Sequence, residues 1–272
     1  MRCRRLLGLG LLLFFTSVAN AASLTADQIL DKVRNRPDGA DIYADLKMIL
    51  SESNGSVRTR ELLFLERDYG NDDKMTLYFT APADVKGVAL QSVNYDEAAA
   101  KNDDQWMYLP AFRQVRRISA TDKRGSFMGS QFSYIDLDKL RVTDYTQKLV
   151  GEEKVTGKDC YVIERLPVSD SVINRTGYHK VRVWVDKDTF VVLKQTYYDA
   201  RGIQFKEFIV KKLEKIQNIW TVTHSEMIDL LNQRSSALIF SNVRYDVGLG
   251  DSLFQQNIMK TGVNSGNLPA LR

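Results

Sequence analysis

From residue 42 to residue 245, apolar side chains recur at every second position, in segment after segment, with short polar turns between them. The first segment is representative. Ile42, Ala44, Leu46, Met48 and Leu50 alternate with Tyr43, Asp45, Lys47 and Ile49. A period of two sends neighbouring side chains to opposite faces and marks a β-strand. Asn54-Gly55 then gives a hairpin signal, and 57–66 returns as its partner. The second half repeats the pattern in pairs: 143–152 with 158–166, 178–185 with 190–198, and 203–213 with 219–230. Many regularly spaced strands joined by short turns predict an antiparallel barrel or strongly curved sheet. The expectation is a mainly β fold: a large, incomplete (half-open) barrel of about eleven strands with a helical or loop lid. Eight strands can already hold a small ligand, so a wider barrel must be flattened, plugged or hollow.

The ends read differently. Arg2, Arg4 and Arg5 precede a short apolar core, 6–18, and Ala19-Asn20-Ala21 has the small-x-small pattern of a cleavage site. Residues 1–21 are therefore expected to be a cleaved signal peptide, and 22–272 one exported domain. The export compartment that fits most simply is a periplasm. The chain carries 38 basic and 34 acidic residues, and three arginines leave with the leader. The mature net charge is then about +1, which gives no reason to expect nucleic acid. Cys160 is the one cysteine after residue 21, so no internal disulfide is expected. Next, 25–36 places Ile29, Leu30 and Val33 on one helical face, with Thr25 as N-cap and Gln28 at the capping-box position. A second short helix is expected within 250–259.

The alternation fails in the middle. After the strands 105–109 and 114–118 comes a polar run, 119–126. Then Phe127, Met128, Phe132, Tyr134 and Ile135 lie among Gly125, Ser126, Gly129, Ser130 and Ser133. Large apolar groups mixed with Gly and Ser favour neither helix nor strand. They suit a loop that packs its aromatics into something. It is either a plug of the core or a movable lid over an apolar cavity.

Catalytic patterns are not met. His179 and His224 have no evident partner, and with Cys160 they make no zinc set. Residues 151–158 resemble a phosphate loop but have the wrong spacing, with Asp159 where Ser or Thr belongs. No Gly-x-Ser-x-Gly occurs, and Lys260-Thr261-Gly262 has no Ser-x-x-Lys to accompany it. No enzyme, cofactor or metal is expected. The basic cluster Arg113, Arg116, Arg117, Lys123 and Arg124 fits a solvated face, an anionic head-group site or a partner-docking surface.

The motifs ADLKMIL, DDQWMYLPAFRQVRRIS, GSFMGSQFSYIDL and VRVWVDKDTFVVLKQTYYDARG occur in that order. In these, the chain resembles the outer-membrane lipoprotein-sorting, LolA-like superfamily of periplasmic lipid carriers. It is most similar to the branch associated with RND/MMPL-type exporters. The resemblance implies an incomplete barrel with an apolar cavity for lipid or lipoprotein acyl chains, transient membrane contact and no catalysis. The resemblance assigns no ligand residues, and the residues themselves suggest that Phe127, Met128, Phe132 and Tyr134 contact or gate the acyl chain, with Gly125 and Gly129 as hinges. Trp106, Met107 and Tyr108 line the neighbouring wall, with only one parity facing inward. Arg113, Arg116 and Arg117 hold a head group or dock a partner. The rival reading is a non-carrying adaptor for an envelope transporter, its barrel filled by side chains.

Overall fold

A computed structural model describes residues 24–263, 266, 268 and 269. The expected signal peptide lies outside these residues.

The first helix, α1 (Ala26–Arg34), forms as its sequence dictates. Thr25 Oγ1 accepts from the Gln28 N–H at 3.2 Å, and Gln28 Oε1 accepts from the Thr25 N–H at 2.9 Å. The helix buries Ala26, Ile29 and Leu30.

Thirteen strands follow, in one antiparallel sheet. They are β1 (Asp41–Ser51), β2 (Val57–Asp68), β3 (Asp73–Ala81), β4 (Ala89–Asn94), β5 (Asp104–Leu109), β6 (Gln114–Arg117), β7 (Tyr145–Val155), β8 (Lys158–Pro167), β9 (Lys180–Asp186), β10 (Val192–Tyr198), β11 (Gln204–Ile216), β12 (Ile219–Asp229) and β13 (Arg234–Tyr245). The count exceeds the expected eleven by two. Even the short runs β4 and β6 pair in the sheet. A third helix that the sequence did not suggest, α2 (Asp170–Thr176), joins β8 to β9.

The strand order is β6-β5-β4-β3-β2-β1-β13-β12-β11-β10-β9-β8-β7. Two meanders of sequence neighbours are thus joined at one seam, where the first strand pairs with the last. β6 and β7 are the free edges, so the barrel stays open. The sheet is strongly curved, since Leu77 and Phe79 of β3 share one buried cluster with Ile163 of β8 and Val183 of β9.

The convex side of β2–β6 is covered by a 3₁₀ turn (Asp251–Phe254) and α3 (Gln256–Thr261). Leu63 and Leu65 of β2 pack there against Leu253, Phe254 and Ile258. β2 is therefore buried on both faces, which is why Leu62-Leu63-Phe64-Leu65 runs without alternation. Asp41 ties this covering to the seam. Its carboxylate accepts the N–H groups of Val247, Gly248 and Leu249 at 2.8, 2.9 and 2.8 Å.

Candidate functional site

The segment 118–144 connects the two free edges of the sheet, β6 and β7. Its ends are fixed on opposite sides of the opening, so it must cross the concave face. There it forms a small hairpin, bridged at Ser126 and Ser133, with Phe127 N–H donating to the Phe132 carbonyl at 2.8 Å. Gly129 at the tip has φ +75°, and Met128 beside it +51°. The next residues make a 3₁₀ turn (Tyr134–Leu137).

Charged and polar groups of the wall reach in to hold this segment. Lys206 of β11 pairs with Asp136 at 2.5 Å and donates to Ser133 Oγ at 3.1 Å. Tyr178 donates to the same Asp136 carboxylate at 2.6 Å. Gln105 of β5 donates to the Tyr134 carbonyl at 2.9 Å and to Asp138 at 2.7 Å. Arg60 of β2 donates to the Met128 carbonyl. Within the segment, Lys123 and Asp138 form a buried pair at 2.6 Å. Burial pushes the Asp138 carboxyl up to about 6 despite Lys123, and it lifts Tyr178 well above the usual tyrosine range.

The structure brings five of the sequence-selected residues to the concave core. Phe127 and Phe132 are buried, and Phe127 packs against Phe79 and Tyr134 with ring centroids 6.0 and 5.6 Å apart. Tyr134 Oη lies 3.5 Å from Met107 Sδ, and Met128 packs against the same cluster. Trp106 and Tyr108 do not join them. Strand parity puts Trp106 opposite Gln91, whose amide bonds Thr76 and thence Leu253 on the convex side. Of β5, then, Met107 carries the inward parity.

Arg113, Arg116 and Arg117 are exposed at the edge strand. Arg117 pairs with Asp104, and Arg116 lies 5.6 Å over the Phe112 ring. Arg113 borders a shallow polar recess with Gln256, Asn257 and Lys260.

Beside the inner segment lies a cavity of about 220 Å³ between α1, α2 and β8–β10. Its apolar wall includes Val33, Ile135, Leu140, Val181, Val192 and Tyr197. Arg141, Arg165 and Arg175 face it, with Asp136, Asp138 and Asp144. None of the residues expected from the sequence to contact a ligand lines it, although Ile135 of the same segment does. A signal was present, however. Arg165 in β8 and Lys206 in β11 occupy the same parity as Ile163 and Phe208, which pack on the concave core. A cation on the apolar parity of a strand is costly to bury unless it meets a partner.

A family model described only as that of an uncharacterized protein matches residues 71–261. A DUF1329 family protein from Desulfovibrio piger is 34% identical, with 86% of this chain and 97% of that chain covered and a TM-score of 0.80. The chain belongs to the DUF1329 family. A putative outer membrane lipoprotein-sorting protein domain from Vibrio parahaemolyticus is 31% identical, with 86% and 98% covered and a TM-score of 0.79. A LolA superfamily protein from Nitrosomonas europaea is 21% identical, with 86% and 99% covered and a TM-score of 0.64. This DUF1329 chain therefore has the LolA-type fold, as the sequence resemblance implied. No curated protein matches it.

Proposed function

We propose that this protein is a periplasmic carrier that shields lipid or lipoprotein acyl chains on its concave face and passes them between envelope membranes. One observation carries the reading. The apolar interior of an open sheet is filled by a segment that has no ladder pairing to that sheet and is held by side chains. Such a filling can leave without breaking the sheet. A carrier needs this, because a sixteen-carbon chain exposed to water costs about 12 kcal/mol at roughly 0.8 per methylene. Displacing Phe127, Met128, Phe132 and Tyr134 would expose an apolar trough of matching chemistry. The lipoprotein-sorting relative and the LolA-type fold support the reading. It involves no catalysis. An RND/MMPL-type exporter is the proposed partner, and Arg113, Arg116 and Arg117 are its proposed contact or a head-group site.

The test is native mass spectrometry of the mature protein, released from its host's periplasm without detergent, followed by lipid extraction. A stoichiometric lipid is the expected result. The filled core favours a second reading, a non-carrying adaptor. A clean lipid-free mass, with no uptake of added lipid, would establish the adaptor over the carrier.

A further inference from the structure

The proposed carrier reading leaves the ligand's head group open, and Arg165 addresses it. This guanidinium is buried on the wall of the 220 Å³ cavity, with 4% of its surface exposed. It makes no ion pair with a carboxylate among the described residues. The carboxylates around the cavity are already engaged: Asp136 by Lys206, Asp138 by Lys123, and Asp144 by Arg141 and Arg175. Arg165 instead donates from Nε to Gln147 Oε1 at 3.3 Å and from Nη2 to the Arg141 carbonyl. Its guanidinium also stacks 4.3 Å from the Tyr145 ring centroid. Gln147 is itself fixed, its amide donating to the Val142 and Tyr145 carbonyls at 2.6 and 2.9 Å. The guanidinium is thus held in place by neutral partners only.

An arginine does not escape burial by losing its proton. Asp144 and Glu97 act on Arg165 only from beyond ion-pair distance and are paired with Arg175 and Arg34. A desolvated cation without a carboxylate in contact is expensive, and a planar fork with spare donors suits a carboxylate or phosphate. Val181, Val192 and Tyr197 line the same cavity. About 220 Å³ is below the roughly 300 Å³ at which drug-sized sites begin, so it suits a head group and the first carbons of a chain. We propose that this cavity binds the anionic head group, carboxylate or phosphate, of an amphiphile on Arg165, with its chain continuing under the inner segment. The inference rests on the carrier reading.

The experiment measures binding by calorimetry at pH 8 of four probes to the delipidated mature protein: decanoate, decyl phosphate, decanol and inorganic phosphate. The wild type should bind one or both anionic amphiphiles about tenfold or more tighter than decanol. Arg165→Gln should bring them down to the decanol affinity and leave decanol unchanged. Equal affinity of anions and decanol in the wild type, or a preference that survives Arg165→Gln, overturns the head-group site but leaves the carrier. No binding of any ten-carbon probe overturns both. Inorganic phosphate binding as tightly as decyl phosphate replaces the amphiphile with a free anion. Should Arg165→Gln not fold, Val192→Trp fills the cavity and keeps the arginine. Anion preference that survives Val192→Trp also overturns the site.

Discussion

Lys206 of β11 and Asp136 of the inner segment form a buried ion pair, Nζ to Oδ2 2.5 Å, with the Tyr178 hydroxyl 2.9 Å from the same Nζ. The pair fixes a long connection that lies outside the sheet ladder onto the wall. Removing one partner strands the other. Lys206→Met should cost about 3–5 kcal/mol, as for a buried pair broken on one side. Lys206→Met combined with Asp136→Leu should recover most of it. Urea melts give the energies. Hydrogen exchange of 127–137 should rise in the single variant first, and a uniform rise across the sheet would contradict a local latch.

A second prediction concerns pH. Glu66 lies 3.6 Å from Lys139, which also meets Asp38 and Asp73 at 3.3 and 2.7 Å. Burial raises the Glu66 carboxyl to about 7, although Lys139 pulls the other way. Lys139 is itself raised by these three carboxylates in spite of its burial. Both groups are raised, so burial disfavours the Glu66 charge while its neighbours favour that of Lys139. The side chain of Glu66 keeps 24% of its surface, and hydration there weakens the effect of burial. The sign is that of a raised acid. Its contribution is full below about pH 4 and is lost as pH rises through about 7. Glu66→Gln should therefore melt like wild type at pH 4 and be more stable at pH 8, by on the order of 1 kcal/mol. Lys139 keeps Asp38 and Asp73 in the variant. Equal stability of the two proteins at pH 8 would refute the shift.

Asp41 anchors the convex covering through three backbone N–H groups. Asp41→Ala leaves them without their acceptor in a buried place. The loss should reach about 3 kcal/mol or more, at 1–3 for each orphaned group. Limited proteolysis should then cut within 247–262 before it cuts any strand. Cleavage that begins elsewhere would place the weak point in another element.

Cys160 is fully buried in β8, and burial pushes its thiol up to about 11. The native protein should resist iodoacetamide at pH 8 and react fully in urea. Rapid native alkylation would mean that the outer β8–β11 cluster opens readily.

How far the site was legible follows from its residues. The aromatics of the inner segment stood out because Phe127 and Phe132 break the alternating pattern on either side. That they would be buried in the concave core was one of two readings. The choice between them required the wall that surrounds them. Trp106 and Met107 are adjacent in sequence, and nothing local says which faces inward. The covering of β3 by the 3₁₀ turn and of β4 and β5 by α3 settles it. Arg165 was overlooked as one charge among many in a hairpin, since its cost comes from neighbours distant in the chain.

The sequence by itself determined the strands, most of their turns and the helix α1. Period-two alternation, the Asn54-Gly55 turn and a capping box are written within a few residues and act locally. It also determined that one long stretch could not join the sheet. Only the tertiary structure decided where that stretch goes. Pairing of β1 with β13 leaves β6 and β7 as separate edges, and the chain between them has to span the opening. Contacts such as Lys206 with Asp136, or Arg165 with the Arg141 carbonyl, arise from that closure. They join residues whose separation along the chain gives no local pattern, so their energy exists only once the sheet has curved around them.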